Sequence, residues 1–170
     1  HASTAVIAGF FPSTKFCGLL MENELIAIDK VLKSGEKPVT AILGGSKVST
    51  KITIIENILP AIDNLIIGGG MSFTFIKAFG GKIEQSIVED DKLSLAIEIL
   101  EKAKQHNVEV YLPTDVIIAD DFNNEAERKE CDIREIPEDW QGLDAGPKSR
   151  AIFNDVLLNS RTILWNGPIG

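Results

Sequence analysis

The chain has 170 residues, of which 44% are hydrophobic, and it carries a formal net charge of −8. This size and composition suffice to bury the core of one domain with a small appendage. The acidic balance, without any run of lysine or arginine, argues against a broad nucleic-acid or anionic-membrane surface, so we expect neither as a partner.

Cysteine, histidine and carboxylate usage gives no metal or redox motif. Cys17 and Cys131 lack CxxC spacing, and two histidines are too few for a recognisable zinc cluster. We interpret the acidic clusters at 89–91 and 120–121 as a charge bias at a helix N-terminus and a solvated loop, respectively. The cysteine pattern suits a reducing compartment, so we expect a cytoplasmic protein. No apolar run approaches the roughly 20 residues that span a bilayer.

Short apolar runs alternate with amphipathic stretches along most of the chain. Residues 1–18 lack a sustained period and are predicted to be loop, whereas apolar residues spaced by three and four predict a helix over 19–33. The polar segment 120–139 is predicted to be a loop or a short hairpin. Further strands are predicted at 39–43, 65–67, 108–112, 116–119 and 162–165, and further helices at 49–59, 71–79, 91–105 and 147–159.

This alternation predicts an α/β fold, with a doubly wound, mostly parallel sheet and helices on both faces. Ligands of such sheets bind beyond the carboxyl ends of the strands. The turns that follow predicted strands are therefore candidate binding segments. They are residues 44–45, 68–70, 114–115 and 166–168.

The first of these turns has the most informative composition. Gly44 and Gly45 follow an apolar strand, and Lys47 and Lys51 come soon after them. Free backbone N–H groups at the glycines, together with a helix starting near Val48, would form a seat for phosphate on which both ammonium groups converge. The spacing is not that of a Walker A loop. By itself, it fits a solvated lysine face after an ordinary glycine turn equally well.

The other turns carry weaker signals. The glycines at 68–70 permit either close approach of a ligand or a tight packing turn. Gly142 and Leu143 could form the wall of a pocket for a flat base, although the segment alone is more typical of a capped loop. Residues 166–168 combine an amide side chain with a rigid turn.

Five segments, taken together, resemble phosphoglycerate kinases in their order and approximate spacing. The resemblance covers essentially the whole chain. It implies the glycolytic, reversible transfer of a phosphoryl group between ATP, bound with Mg²⁺, and 3-phosphoglycerate, giving ADP and 1,3-bisphosphoglycerate. It also implies a monomer for the full-length enzyme. The segments are 41–52, 66–75, 112–116, 142–147 and 165–168.

The resemblance further implies roles for single residues. Lys51 is similar to the family's lysine at the transferring phosphate, and Lys47 to its neighbour on the nucleotide phosphates; both are expected to be catalytic. Ser46 stands where the family usually has alanine, a change we expect to be tolerated. No residue is assigned to a metal. Besides Gly44 and Gly45, the residues expected in the nucleotide site are Gly69, Gly142, Leu143, Asn166, Gly167 and Pro168.

The same matching divides the chain into three parts. Residues 1–18 resemble the tail of a substrate-binding lobe, 19–37 a connecting helix and hinge, and 38–170 a C-terminally truncated nucleotide-binding lobe. The family's substrate-binding arginine lies upstream of residue 1 and its ribose-binding glutamate beyond residue 170. We therefore expect an internal fragment that is inactive alone, because phosphoryl transfer needs charge neutralisation from both sides.

Two alternatives remain open at this point. The chain could be a short, non-catalytic nucleotide-binding or protein-interaction module of the same fold. More remotely, it could be a Rossmann-like dehydrogenase domain, although GxGxxG is missing after its first strand.

Overall fold

The computed structural model describes residues 6–11, 13 and 15–170. The part of the predicted N-terminal loop at 1–5, 12 and 14 lies outside the described residues, and short 3₁₀ helices occur at Ile7–Phe10, Leu59–Ala61 and Asp90–Lys92. The helices and strands are α1 (Leu19–Ser34), β1 (Val39–Leu43), α2 (Ile52–Ile58), β2 (Asn64–Ile67), α3 (Met71–Ala78), α4 (Leu93–Gln105), β3 (Glu109–Tyr111), β4 (Asp115–Ala119), β5 (Arg128–Asp132), β6 (Gln141–Ala145), α5 (Pro147–Leu158) and β7 (Thr162–Asn166).

The main sheet has four parallel strands in the order β3-β2-β1-β7. Every residue of β1 is buried, as expected for a continuous apolar strand in the middle of a parallel sheet. The chain runs from β1 outward to β2 and β3, and then returns to place β7 on the other side of β1. The order of the strands therefore reverses between β1 and β7, which makes this boundary a topological switch point.

Helices cover both faces of this sheet, which confirms the predicted fold class. The side chains of Ala41 and Leu43 belong to a core cluster with buried residues of α2, α3 and α4. Ile42, between them, packs in a separate cluster with Phe153 of α5. This alternation follows from the two-residue period of a strand, which directs successive side chains to opposite faces.

A second, antiparallel sheet with the order β5-β4-β6 was not predicted. Strand β5 lies inside the segment expected to be a loop or hairpin, and β6 contains the glycine segment expected to be a capped loop. Four of the five residues of β5 are exposed, so the strand has no apolar run by which it could be recognised. The 116–119 strand is β4, and it belongs to this sheet rather than to the parallel one.

Asp115 joins the second sheet to α5. Its carboxylate accepts hydrogen bonds from the N–H groups of Lys148 and Ser149, at 2.9 and 2.7 Å, and from the Ser149 hydroxyl at 2.6 Å. These N–H groups belong to the first turn of α5, where backbone donors have no partner within the helix. Asp115 thus caps α5 from a neighbouring strand, and it is not available to a ligand.

Helix α1 differs from the other long helices because none of its residues is buried. Its last turn approaches the main core, where Val31 and Leu32 are partly buried. Leu20 and Ile26 are 75% and 59% exposed. In the part of the chain that the structure describes, no helix combines the length and the apolar character needed to cross a bilayer.

Candidate functional site

The turns after β1, β2 and β7 meet at the topological switch point. The Gly44 N–H donates to the carbonyl oxygen of Asn166 at 2.9 Å, and the Gly45 N–H donates to that of Pro168 at 2.8 Å. The Gly69 N–H donates to the carbonyl oxygen of Ile169 at 2.5 Å. The sequence predicted free N–H groups for phosphate at Gly44 and Gly45. This prediction was wrong, because the β7 turn accepts both of them.

Two glycines make this close approach of backbones feasible. A Cβ atom on Gly44 would collide with the carbonyl oxygen of Pro168. A Cβ atom on Gly69 would lie 2.8 Å from the same oxygen, and Gly69 has a φ of +65°, in the left-handed region that favours glycine. The contribution of these glycines is therefore to let the three turns pack together rather than to donate to a ligand.

The lysines lie on a turn, which we call the lysine turn (residues 46–51), and not inside a helix. Helix α2 begins at Ile52, so the expected helix start near Val48 was wrong. Val48 is fully buried and anchors the turn, and the Lys51 N–H donates to its carbonyl oxygen at 2.9 Å. Lys51 occupies the N-cap position. Because α2 has only seven residues, we attribute the cationic character of the site to the lysine side chains rather than to the helix end.

The two lysine ammonium groups have no carboxylate partner within 4 Å among the residues that the structure describes. The Lys51 Nζ donates a hydrogen bond to Oδ1 of Asn166, a neutral amide across the switch point. Lys47 is exposed. Although the whole chain is acidic, both positive charges therefore remain available to an anionic ligand at the edge of the sheet.

Glu89 is a contributor to this region that the sequence did not reveal. Its carboxylate accepts the Ser49 N–H at 3.0 Å and the Ser49 hydroxyl at 2.5 Å. Burial raises the pKa of Glu89, but these hydrogen bonds and one from the Val48 backbone lower it further, so the pKa lies below its ordinary value. All three acidic residues lie at the start of a 3₁₀ helix, as interpreted, with Glu89 at its N-cap position, but the Glu89 carboxylate makes no capping hydrogen bond and contacts Ser49 instead. No local signal links positions 49 and 89.

A narrow cleft beside the switch point contains one of the two predicted pocket-wall residues. Gly69, Leu143 and Ile169 line this cleft together. Gly142 does not line it: its N–H donates to the Ser86 hydroxyl at 2.9 Å, and a Cβ atom there would collide with the Phe73 ring. The structure therefore brings Leu143 to Gly69 and assigns Gly142 to packing between β6 and α3.

The turn after β7 is held both by a side chain of β7 and by the turn after β1. The Trp165 Nε1–H donates to the carbonyl oxygen of Gly167 at 2.8 Å. Pro168 and Asn166 contact the β1 turn through their carbonyl oxygens. Residues 166–168 thus lie at the carboxyl edge of the sheet, as predicted, and specifically at the switch point. Throughout the described ranges, no group of three His, Cys, Asp or Glu residues is placed to hold a metal ion.

Comparison with known proteins gives consistent matches. The family model described as phosphoglycerate kinase matches residues 1–170. A phosphoglycerate kinase of Porphyromonas gingivalis is 54% identical over 171 residues, which is 100% of this chain and 41% of that protein. This chain therefore spans about two fifths of the length of that relative.

Solved structures of the same family match the fold. Phosphoglycerate kinase from Coxiella burnetii aligns with a TM-score of 0.85 and 40% identity, over 90% of this chain and 39% of that one. The enzyme from Pyrococcus horikoshii aligns with a TM-score of 0.73 and 26% identity over the same shares.

Proposed function

Because this chain belongs to the phosphoglycerate kinase family, we propose that it provides the nucleotide side of a phosphoryl-transfer site. The reaction is the reversible transfer between ATP and the carboxylate of 3-phosphoglycerate, giving ADP and 1,3-bisphosphoglycerate. One observation carries the proposal: two lysine side chains without carboxylate partners, among the residues described, lie where three strand-end turns meet.

The lysines would bind the phosphates. A unit charge pair at about 4 Å is worth roughly 4 kcal/mol at an effective dielectric constant of about 20, before desolvation is subtracted. Lys51 would replace its hydrogen bond to the neutral amide of Asn166 with one to an oxygen of the transferring phosphoryl group, and would stay in contact with that group during transfer. Lys47 would contact the other phosphates of the nucleotide. Leu143 and Gly69, which line the adjacent cleft, would contact the nucleoside. The hydrogen bonds between the turns would hold the backbone in place beside the bound phosphates.

Mg²⁺ enters this proposal with the nucleotide. Among the described residues, no group of three His, Cys, Asp or Glu side chains is placed to hold it. We therefore propose that the phosphate oxygens of the nucleotide would hold the metal. When bound there, the metal neutralises charge on the phosphates. This chain's own contribution to that neutralisation is the pair of ammonium groups.

The remaining parts of the proposal concern the whole protein. We infer that residues 19–37 form the connecting helix and hinge, between a substrate-lobe tail at 1–18 and the nucleotide lobe at 38–170. The 3-phosphoglycerate would be bound by residues outside these 170, so the chain alone is expected not to turn over. We propose a cytoplasmic location and a monomeric state for the full-length enzyme.

Nucleotide binding tests the role of the lysines. We expect isothermal titration of the 170-residue chain to detect binding of ADP and of ATP. Lys47→Met should weaken both by about 10- to 100-fold, and Lys51→Met should weaken ATP binding by the same factor, the loss of one hydrogen bond to a charged group. Lys104→Met is the matched control, because Lys104 is exposed on α4 and has no carboxylate partner among the described residues. Equal affinity of Lys51→Met and wild type for ATP would contradict the proposal.

A coupled assay tests the expected inactivity. With 3-phosphoglycerate, ATP and Mg²⁺ in excess, we expect no turnover above the rate without protein. Turnover at the rate of a complete phosphoglycerate kinase would contradict the assignment of the second substrate to residues outside this chain.

A further inference from the structure

We propose that Glu89 is a positioning residue that fixes the lysine turn, and through it both ammonium groups, against the switch point. The inference rests on the proposed function only where it concerns nucleotide affinity. Glu89 lies on the connection between α3 and α4, 40 positions from Ser49. It contacts the lysine turn at Ser49, midway between Lys47 and Lys51.

The lysine turn has two tertiary attachment points on either side of one peptide bond. Val48 is fully buried in the main core cluster. Ser49 is held from outside by Glu89 through both its N–H and its hydroxyl. Since neighbouring residues are anchored in different directions, the turn has little freedom to rotate. The remaining bonds of the turn are local, such as the Thr50 hydroxyl to the Lys47 carbonyl at 2.9 Å.

The backbone of Glu89 is in turn attached to α3 by a hydrogen bond. Its N–H donates to the hydroxyl oxygen of Thr74 at 3.2 Å, and Thr74 is fully buried. The same helix begins with Met71, whose N–H donates to the Gly45 carbonyl at 2.8 Å. Helix α3 therefore contacts both ends of the 44–51 segment: Gly45 directly, through the Met71 N–H, and the lysine turn through Glu89.

The contact is strongest with a carboxylate. Each of its two charged oxygens accepts one Ser49 donor, whereas a glutamine would keep one neutral acceptor and would present its NH₂ group to the other position, where the Ser49 hydroxyl would have to accept instead of donate. Glu89 makes no ion pair with Lys47 or Lys51 within 4 Å in the described ranges. It consequently orders the turn without neutralising the charges that the turn carries.

Three variants of the full 170-residue chain test this role. Glu89→Gln removes one acceptor, and Ser49→Ala removes only the hydroxyl donor. Asp90→Asn is the matched control: it removes a charge one position away, where the carboxylate pairs with Lys77 at 2.7 Å and does not touch the lysine turn. Amide hydrogen exchange of residues 46–51, compared with β1 and β2, reports on the turn, and titration with ADP reports on the lysines.

We expect Glu89→Gln to speed exchange at 46–51 by about tenfold while β1 and β2 change by less than about twofold. ADP affinity should fall by about tenfold, the size typical of removing a supporting hydrogen bond behind a binding residue. Ser49→Ala should change both in the same direction by a smaller factor, and Asp90→Asn should leave both within about twofold. The NMR signal of the Ser49 amide proton should move upfield in Glu89→Gln, where its acceptor loses its charge, and should stay in place in Asp90→Asn.

The outcomes separate this role from general stabilisation and from the proposed function. Unchanged exchange at 46–51 in both Glu89→Gln and Ser49→Ala overturns the inference, and so does a uniform rise of exchange across β1 and β2. If Glu89→Gln does not fold, Ser49→Ala decides by the same measurement. If wild type does not bind ADP, the proposed function fails, while a local rise in exchange still supports the positioning role.

Discussion

At Gly44, the turn after β1 and the turn after β7 approach so closely that no side chain fits between their backbones. We expect Gly44→Ala to lower the free energy of unfolding by about 1–3 kcal/mol or more, since the new Cβ meets a carbonyl oxygen rather than a flexible side chain. Urea unfolding followed by circular dichroism measures this. Gly9→Ala is the control, because a Cβ there meets nothing within 4 Å, and its effect should stay within about 0.5 kcal/mol. Equal stability of both variants would mean that the turns can separate.

Asp115 is one of the residues through which acid should act on the fold. Burial raises its pKa, but the Ser149 hydroxyl and the N–H groups of Lys148 and Ser149 lower it further, so its pKa in the folded state lies below its ordinary value. A carboxyl group with a lowered folded pKa holds its proton more weakly when folded. It therefore stabilises the fold above its unfolded pKa of about 3.9, and this contribution is lost as the pH falls through the folded pKa.

We expect Asp115→Asn to lower the free energy of unfolding at pH 7 by about 1–3 kcal/mol, because buried N–H donors of α5 lose a charged acceptor. The variant should also lose less stability than wild type as the pH falls below about 4. Urea melts at several pH values measure both effects. Glu138→Gln, an exposed charge removal, should stay within about 0.5 kcal/mol of wild type at pH 7. Parallel pH profiles for wild type and Asp115→Asn would contradict this assignment.

At the scale of elements, α1 and α4 are similar in length but differ in how they are held. Helix α4 buries Ala96, Ile99 and Ala103, whereas α1 buries nothing and touches the core only near its C-terminal end. Most helical stability in proteins comes from tertiary packing of an amphipathic face. Helix α1 lacks that packing over its first three turns.

We expect the amides of residues 22–29 to exchange at least about tenfold faster than those inside α4, because opening α1 exposes little buried surface. Hydrogen exchange with mass spectrometry measures this, and α4 is the internal control. The experiment should be repeated at a tenfold lower protein concentration, about 1 μM, so that association between chains is detected. Equal protection of α1 and α4 at both concentrations would contradict the expectation.

The elements show which signals the sequence carried. Strand β1 and helix α3 were predicted with bounds within one residue, because a doubly buried strand is a continuous apolar run and glycines mark the end of β1 and the start of α3. Strand β5 was missed because it lies at an exposed edge, where polar side chains are compatible with a strand. The start of α2 was misplaced because the apolar residue Val48 suggests the apolar face of a helix. Its side chain instead anchors the preceding turn in the core.

At the scale of the whole molecule, α3 makes the two sheets one packed body. Met71 and Phe75 belong to the main core cluster, and Phe73 and Ile76 belong to the cluster under the second sheet. A helix with residues in two cores couples them, because neither core can lose its packing while the helix stays in place.

Two tryptophans allow this coupling to be measured. Trp165 lies on β7 of the parallel sheet, and Trp140 packs under the second sheet with the Lys129 ammonium 3.6 Å from its ring centre. We expect urea transitions followed by the fluorescence of Trp140→Phe and of Trp165→Phe to share a midpoint, after correction for each variant's circular dichroism midpoint. Distinct midpoints for the two probes would show that the sheets unfold separately.

The site was predictable only as separate pieces. Lys47, Lys51 and the glycines could be recognised locally, and the family resemblance supplied their order. The contact between Lys51 and Asn166 could not, because it depends on β7 lying beside β1 rather than at the far edge of the sheet. The same holds for Glu89 and Ser49, which are brought together by the packing of α3.

The pairing of β1 with β7 also affects when the parts of the site come together during folding. Val39 of β1 pairs with Thr162 of β7, so these two neighbouring strands are separated in the chain by β2 to β6 and the helices between them. Contacts of such long sequence separation form late, because the intervening chain must be closed first. During synthesis, both lysines leave the ribosome long before Asn166 does. A nascent chain thus carries the cations of the site well before it has the strand that gives Lys51 its acceptor.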